Sequence, residues 1–317
     1  MKVIFISGVK FGHRILESIL EKNYKITASF SYLPKKKKLY SDYANFENLT
    51  KKHGVIHKQV NNINDQENIE LIKKINPDLI LVLGWSQLLK KEIIEIPRLG
   101  VIGSHPTELP KYRGRAPIPW SILKGLRKSA LTFFYIQEGI DDGDIILQEQ
   151  FDINDIDDAE SLYEKITILG GKMSSEILSS LESKQITGKK QNLDLFIENW
   201  PKRTPLDGRI DWSKPAKEIH NLIRATTYPY PGAYTFFKNK KLIIWKSTLD
   251  TSLDTSLDTS LDTSRIQEPG KIIIKNNQVK IGTSNGSVFL DMISYDCDEN
   301  KNGIEIFSSS DNGIKLE

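Results

Sequence analysis

Short apolar runs separated by amphipathic stretches constrain this chain more than any other feature. VIFISG (3–8) has the unbroken hydrophobicity of a strand buried on both faces. FGHRILESILEKN (11–23) then sets Ile15, Ile19 and Leu20 on one side of a helix, and KITASFSY supplies the next strand. A β-α-β opening of this kind builds a parallel sheet with helices on both faces. The theme continues through the strand VIHKQV, the helix QENIELIKKIN, the buried run that opens DLILVLGWSQLLKKEIIEIP (78–97), and GVIGSH (100–105). SGVKFG lacks the G-x-G-x-x-G order, so a nicotinamide site is not expected. Gly8 and Gly12 simply let the chain turn into its first helix.

Beyond residue 105 the spacing predicts a helix from Ile118 to Leu126, a strand ending at Gln137, and a strand in DIILQEQFDI. Residues 155–185 read as one long helix whose acidic start suits the helix dipole, with Gly170-Gly171 as a place to bend. This helix closes a first domain over 1–205. The second, 206–317, starts with a short helix and an aromatic–proline turn in WSKPAKEIHNLIRATTYPYPGAY. It continues with strands and Asn-Asn and Ser-Asn-Gly turns in KIIIKNNQVKIGTSNGSVFLDMIS. The expected fold class is therefore α/β: a Rossmann-like, doubly wound, mostly parallel sheet with a smaller C-terminal all-β domain. The repeat TSLDTSLDTSLD, within 248–264, cannot bury a core and reads as a flexible surface loop.

At 317 residues the chain is long enough to fill both cores. A formal net charge of +3 is too mild to argue for general nucleic-acid binding. Cys297 is the single cysteine, which rules out an internal disulfide, fits a reducing cytoplasm and reads as inert. MKVIFISGVKFG reads as a strand entering a turn rather than an export signal, and no apolar run approaches the roughly 20 residues of a membrane span. A soluble, cytoplasmic protein is expected.

Chemistry concentrates at two places. His105 ends a strand and is followed by PTELPKYRGRAP, a polar loop carrying Arg113 and Arg115. The carboxyl end of a strand in an α/β sheet is the usual ligand site. In EGIDDGDIILQEQFDI, Asp141, Asp142 and Asp144 occupy a glycine-containing turn, and one of these carboxylates could take the ring N–H of His105 and favour the imidazolium. Taken singly, each segment also reads blandly: a structural histidine at a strand end, and ordinary turn chemistry. LPKKKKLYSDYANF (33–46) is a solvated loop or a phosphate contact, and Trp85 a core residue or a site residue. His220 and Arg224 lie one helical turn apart and share a face.

Taken together, HPTELPKYRGRAP and GIDDGDII resemble the His-x-Ser-x-Leu-Pro-x-x-Arg-Gly loop and the Asp-x-Gly segment of the 10-formyltetrahydrofolate-dependent formyltransferases. RGRAPIPW and KRTPLDGRIDWSKPAKEIHNLIRA…PYPGAYTF are most similar to the sugar-nucleotide branch, which includes the formylating domain of the bifunctional polymyxin-resistance enzyme. The resemblance runs from the first strand to about Trp245 and extends to the β-barrel tail of that family. It implies 10-formyltetrahydrofolate as formyl donor, no metal, and a nucleotide-linked amino sugar of surface glycan synthesis as acceptor, and it leaves a homodimer open. It makes His105 the oxyanion-binding imidazolium and Asp141 its partner. Trp85, Ser86, Gln87, Leu88, Gly139 and Ile140 become the folate wall, and Arg113, Arg115, Arg203, His220, Arg224 and Tyr230 the acceptor contacts. One position departs from the pattern. The family's catalytic Asn, two residues before the histidine, falls on Gly103, so a water or another donor such as Gln87 is expected to replace its amide. Methionyl-tRNA formyltransferases share much of this pattern, though a tRNA-gripping tail should be more basic. A non-catalytic sugar-nucleotide binder is the third reading, on Gly103 alone.

Overall fold

The computed structural model describes residues 1–35, 40–183, 186–250, 268–296 and 299–317. Most of the lysine run, the bulk of the TSLD repeat and Cys297 lie outside them. Two compact units divide the chain. The first holds Met1–Pro117, Arg127–Asn154 and Ser161–Lys202; the second holds Ile118–Leu126, Asp155–Glu160 and Arg203–Glu317.

In the first unit the elements are β1 (Val3–Ile6), α1 (Lys10–Glu21), β2 (Ala28–Tyr32), α2 (Glu47–Lys52), β3 (Ile56–Val60), α3 (Gln66–Ile75), β4 (Leu79–Val82), α4 (Lys91–Ile94), β5 (Val101–His105) and β6 (Tyr112–Gly114). After α5 (Pro117–Leu123), which falls mostly in the second unit, come β7 (Lys128–Tyr135), β8 (Ile145–Asp152), α6 (Ala159–Glu182) and β9 (Glu198–Trp200). Seven strands form one sheet in the order β3-β2-β1-β4-β5-β7-β8. The pairs from β3 to β5 are parallel, and β7 and β8 add antiparallel pairs at the far edge. The sheet is thus the mostly parallel, Rossmann-like one that the apolar runs predict.

The buried runs explain the order. β1 and β4 present nothing but buried apolar residues, as strands covered on both faces must. Gly12 lets α1 approach β1 closely, since a Cβ there would fall 2.0 Å from Ser7 Oγ and 2.6 Å from the Leu83 carbonyl. Strand order reverses between β1 and β4, which places a ligand crevice at their carboxyl ends.

Several sequence boundaries need correction. α5 covers Pro117–Leu123 rather than 118–126. α6 starts at Ala159, not 155, and runs unbroken through Gly170-Gly171. Gly170 serves close packing instead of a bend: a Cβ there would meet Ile15 Cδ1 at 2.7 Å and Phe11 at 3.1 Å.

The second unit contains α7 (Ala216–Thr226), β10 (Ala233–Phe237), β11 (Lys240–Leu249), β12 (Ile272–Lys275), β13 (Gln278–Gly282), β14 (Ser287–Tyr295) and α8 (Gly303–Ile306). Its five strands form an antiparallel sheet in the order β10-β11-β14-β13-β12. Ile219 and Ile223 of α7 pack with Leu242, Ile244, Val279, Ile281, Leu290 and Ile293 in its core. Thr248 and Leu249, predicted to be loop, belong to β11 and pair with Phe289 and Val288. The expected loop therefore begins later, and residues 251–264 of it lie outside the described part.

Candidate active site

His105 is the last residue of β5, where it pairs with Thr132 of β7, and it is buried. Its Nε2 lies 3.1 Å from the carbonyl oxygen of Tyr112. A carbonyl only accepts, so Nε2 carries the proton in this arrangement. A ladder of polar groups holds that carbonyl. Thr107 Oγ1 donates to it at 2.5 Å, Thr132 Oγ1 donates to Thr107 O at 2.6 Å, and Gln148 Nε2 donates to Thr132 Oγ1 at 2.8 Å and to Leu109 O at 3.0 Å. The imidazole is therefore held through a fixed backbone oxygen.

His105 Nδ1 faces the carboxylate of Asp141, with Oδ2 at 3.6 Å. That separation is too long for a direct hydrogen bond and leaves both groups capacity for a third atom. Asp141 has a left-handed backbone (φ 50°), and its Oδ2 accepts from Gly114 N at 3.0 Å. Gly114 has φ 106°, and a Cβ on it would lie 2.3 Å from the Trp200 carbonyl. The glycine of the RG pair is what allows the loop after His105 to pair as β6 with β9. Tyr112 stacks on Trp200 at 4.6 Å across this small sheet.

Gln191 is a site residue with no signal in the sequence. Its Nε2 donates to the carbonyls of Asp141 and Gly143, both at 2.8 Å, and its Oε1 accepts from Arg113 NH2 at 2.8 Å. Arg113 also lies 5.9 Å from the Phe196 ring centroid, and its Nε is buried without a hydrogen-bond partner among the described residues.

A second wall follows β4. Gly84 turns the chain (φ 69°), and the Trp85 ring stacks on Tyr32 at 3.8 Å, with Tyr32 in turn stacked on Tyr40 at 4.5 Å. Ser86 N donates to Tyr32 Oη at 2.9 Å. Burial pushes the Tyr32 phenol far above its ordinary pKa, so it stays neutral. Lys91 Nζ and Glu138 Oε1 are 3.5 Å apart, so this wall lies beside the turn that contains Gly139, Ile140 and Asp141. Leu88 and Ile140 are exposed, whereas Trp85 Nε1 and Asp142 Oδ1 are buried without partners among the described residues.

Two observations bear on the replacement expected at Gly103. Gln87 is spent elsewhere: its Nε2 donates to Asn61 O at 2.7 Å and its Oε1 accepts from Ile63 N at 3.1 Å. Ile136 occupies the space beside Gly103, with Cδ1 and Cγ1 each 2.9 Å from where a Cβ would stand.

Of the predicted acceptor contacts, Arg113 and Arg115 belong to the first unit and the other four to the second. Arg115 is exposed, with its backbone N–H on Trp200 O at 2.8 Å. Arg203 lies 5.0 Å from the Trp120 ring centroid and donates to Asp207 O at 2.8 Å; desolvation lowers its pKa. Arg224 is buried, bonding Asn221 Oδ1 at 3.0 Å and Asp157 O at 2.7 Å. His220 contacts Ser247 Oγ at 3.0 Å, and burial, then the nearby Arg224 and Lys217 charges, push it down to about 4. Tyr230 is half-buried after the helix that carries both. The shared face of His220 and Arg224 thus turns largely inward.

Residues 1–178 match the family described as formyl transferase, and residues 202–309 match the formyl transferase C-terminal domain. The chain belongs to the formyl transferase family. It is an enzyme that transfers formyl groups. The methionyl-tRNA formyltransferase of Alkaliphilus oremlandii (strain OhILAs) is 32% identical over 300 residues, covering 93% of this chain and 92% of that one. Among solved structures, an N-formyltransferase from Helicobacter canadensis, in complex with folinic acid and dTDP-3-aminofucose, superposes with a TM-score of 0.66 at 20% identity. The match covers 92% of this chain and 98% of that one. HypX from Aquifex aeolicus in complex with tetrahydrofolic acid gives 0.64 at 17%, covering 96% of this chain. The chain spans about half the length of HypX, 46%. Among the described residues no helix is long and apolar enough to cross a membrane, and no cluster of His, Cys, Asp or Glu could hold a metal ion.

Proposed function

We propose that this formyltransferase moves the formyl group of 10-formyltetrahydrofolate onto the amine of a nucleotide-linked amino sugar. Transfer needs a neutral amine, a place for the oxyanion that develops on the formyl oxygen, and an acceptor for the amine proton. His105 and Asp141 supply the last two. With Nε2–H held by the Tyr112 carbonyl, Nδ1 is the nitrogen that faces the reactants, and as imidazolium it donates to the oxyanion. Asp141, 3.6 Å away, orients that charge and collects the amine proton, which ends on the departing tetrahydrofolate nitrogen as the bond between that nitrogen and the formyl carbon breaks. The residues beside the site suit a folate: among the described residues Trp85 Nε1 and Asp142 Oδ1 are buried polar atoms without a hydrogen-bond partner, on two segments flanked by Lys91 and Glu138.

The choice of acceptor rests on the charge of the chain's last segment. From Lys271 to Glu317 the chain carries five lysines against seven acidic residues. Three of those lysines are paired within the chain: Lys271 and Lys315 with Glu268, at 3.4 and 2.9 Å, and Lys280 with Asp250 at 2.7 Å. A tail built to hold a tRNA backbone needs free cations, because each phosphate contact is an ion pair. The Helicobacter canadensis enzyme, bound to dTDP-3-aminofucose, supports the same reading.

The alternative acceptor is methionyl-tRNA, favoured by the 32% identity to the Alkaliphilus enzyme over nearly the whole chain. A panel of amino-sugar nucleotides and methionyl-tRNA, each incubated with 10-formyltetrahydrofolate and read by mass spectrometry, separates the two. A formyl adduct on an amino-sugar nucleotide is the expected result. An adduct on methionyl-tRNA alone would overturn the choice of acceptor and leave the formyl transfer intact.

A further inference from the structure

We infer that Gln191 is a positioning residue for the transfer, holding Asp141 at its working distance from His105. The inference rests on the assignment of His105 and Asp141 made above. Asp141 stands in the left-handed region (φ 50°), which L residues rarely adopt and Asp and Asn enter mainly where local hydrogen bonds support it. Something must hold it there. Among the described residues its side chain is hydrogen-bonded through Oδ2 to Gly114 N, at 3.0 Å. Its main chain is held by Gln191, whose amide donates to the Asp141 and Gly143 carbonyls, at 2.8 Å each. One amide group thus clamps both sides of the turn.

Gln191 is itself held. Lys189 exchanges both backbone hydrogen bonds with Ile145, the first residue of β8, at 2.8 Å each. Gly188 passes so close to the turn that a Cβ on it would lie 2.7 Å from Asp144 Cβ. Residue 191 is therefore presented to the turn by an anchored backbone. Its Oε1 accepts from Arg113, two residues past Lys111 in the loop that follows His105. The amide joins the segment that carries Asp141 to the loop whose Tyr112 carbonyl receives His105 Nε2, so both ends of the pair share one support.

Two variants test this. Gln191→Met removes every hydrogen bond at similar volume, while Gln191→Glu keeps the acceptor for Arg113 and loses both donors. Both should lower kcat about 10- to 100-fold, with KM for donor and acceptor changed by less than about threefold. The ring signals of His105, followed by NMR at one fixed pH, need no acceptor and should move in both variants. Parent kcat in Gln191→Glu, unchanged His105 ring signals, or a fall in Tm beyond about 10 °C in both variants would each overturn the inference, the last by making Gln191 a structural residue. If only Gln191→Met fails to fold, Gln191→Glu decides. His105→Ala in the same assay separates the two layers. If that variant stays active, the assigned pair is wrong; if it is inactive while Gln191→Glu turns over normally, only the role of Gln191 falls.

Discussion

Replacing Gly103 with asparagine should cost stability and leave turnover no higher than in the parent. A Cβ at this position would lie 2.9 Å from both Cδ1 and Cγ1 of Ile136 and 3.6 Å from Phe134 Cζ. Carbon atoms pack at about 3.5–4.0 Å, so the first added atom already requires Ile136 to retreat by roughly 0.6 Å or more. Rotation of Cδ1 relieves one contact. Cγ1 is closer to the main chain, which is held by a 2.7 Å bond from Ile136 N to Val101 O, and it cannot swing as freely. The carboxamide then adds further bulk. Overpacking of this kind costs about 1–3 kcal/mol, or roughly 2–12 °C in Tm at about 2–4 °C per kcal/mol.

The decisive assay is a double-mutant cycle with Ile136→Ala, read by urea denaturation and by steady-state rates. Ile136→Ala opens the space, so the asparagine should be tolerated far better beside it, with a coupling of about 0.5–3 kcal/mol. Additive losses would refute the claim that Ile136 has taken the amide's place. So would a rise in kcat of about tenfold or more, about 1.4 kcal/mol of barrier, in Gly103→Asn alone.

Other outcomes follow from the same geometry. His105→Ala or Asp141→Asn should lose about 10²- to 10⁴-fold in kcat while circular dichroism stays that of the parent; near-normal rates in both would end the assigned mechanism. His220, pushed down to about 4 from 6.5, is neutral when folded. Its contribution is therefore full above pH 6.5 and is lost as the pH falls toward 4, by at most about 3 kcal/mol. His220→Gln should flatten the urea stability profile across that window, and an unchanged slope would contradict the burial argument. Deleting two TSLD units from 251–262 should leave Tm and rate close to the parent, since halving a loop changes closure entropy by only about 0.6 kcal/mol; a large loss would show that the segment packs against something.

How much of this was readable beforehand depended on how far along the chain each cause lies. β1 and β4 are legible because strands covered on both faces must be apolar throughout, and the helices between them because their apolar faces recur at helical spacing. The RG pair is legible as a turn. Its reason is not, because Gly114 is demanded by the carbonyl of Trp200, which no local pattern connects to it. Likewise the missing amide at Gly103 shows in the motif, but the side chain that fills the space arrives from the end of a paired strand. Neighbouring strands place Gly103 opposite Phe134 and bring Ile136 alongside, so only the register of β5 on β7 reveals the occupant.

The inward turn of His220 and Arg224 carries the same lesson with opposite sign. A shared helical face is a valid inference from spacing, yet spacing cannot say whether that face meets solvent or the chain. Arg224 meets Asp157 and Asn221, and the cation it contributes is part of what keeps His220 neutral. A neutral, buried imidazole is poorly suited to bind a phosphate by charge. Of the six predicted contacts, Arg113 is the one whose guanidinium is hydrogen-bonded to a group that also holds the Asp141 turn, which makes it the better first target for acceptor-binding studies.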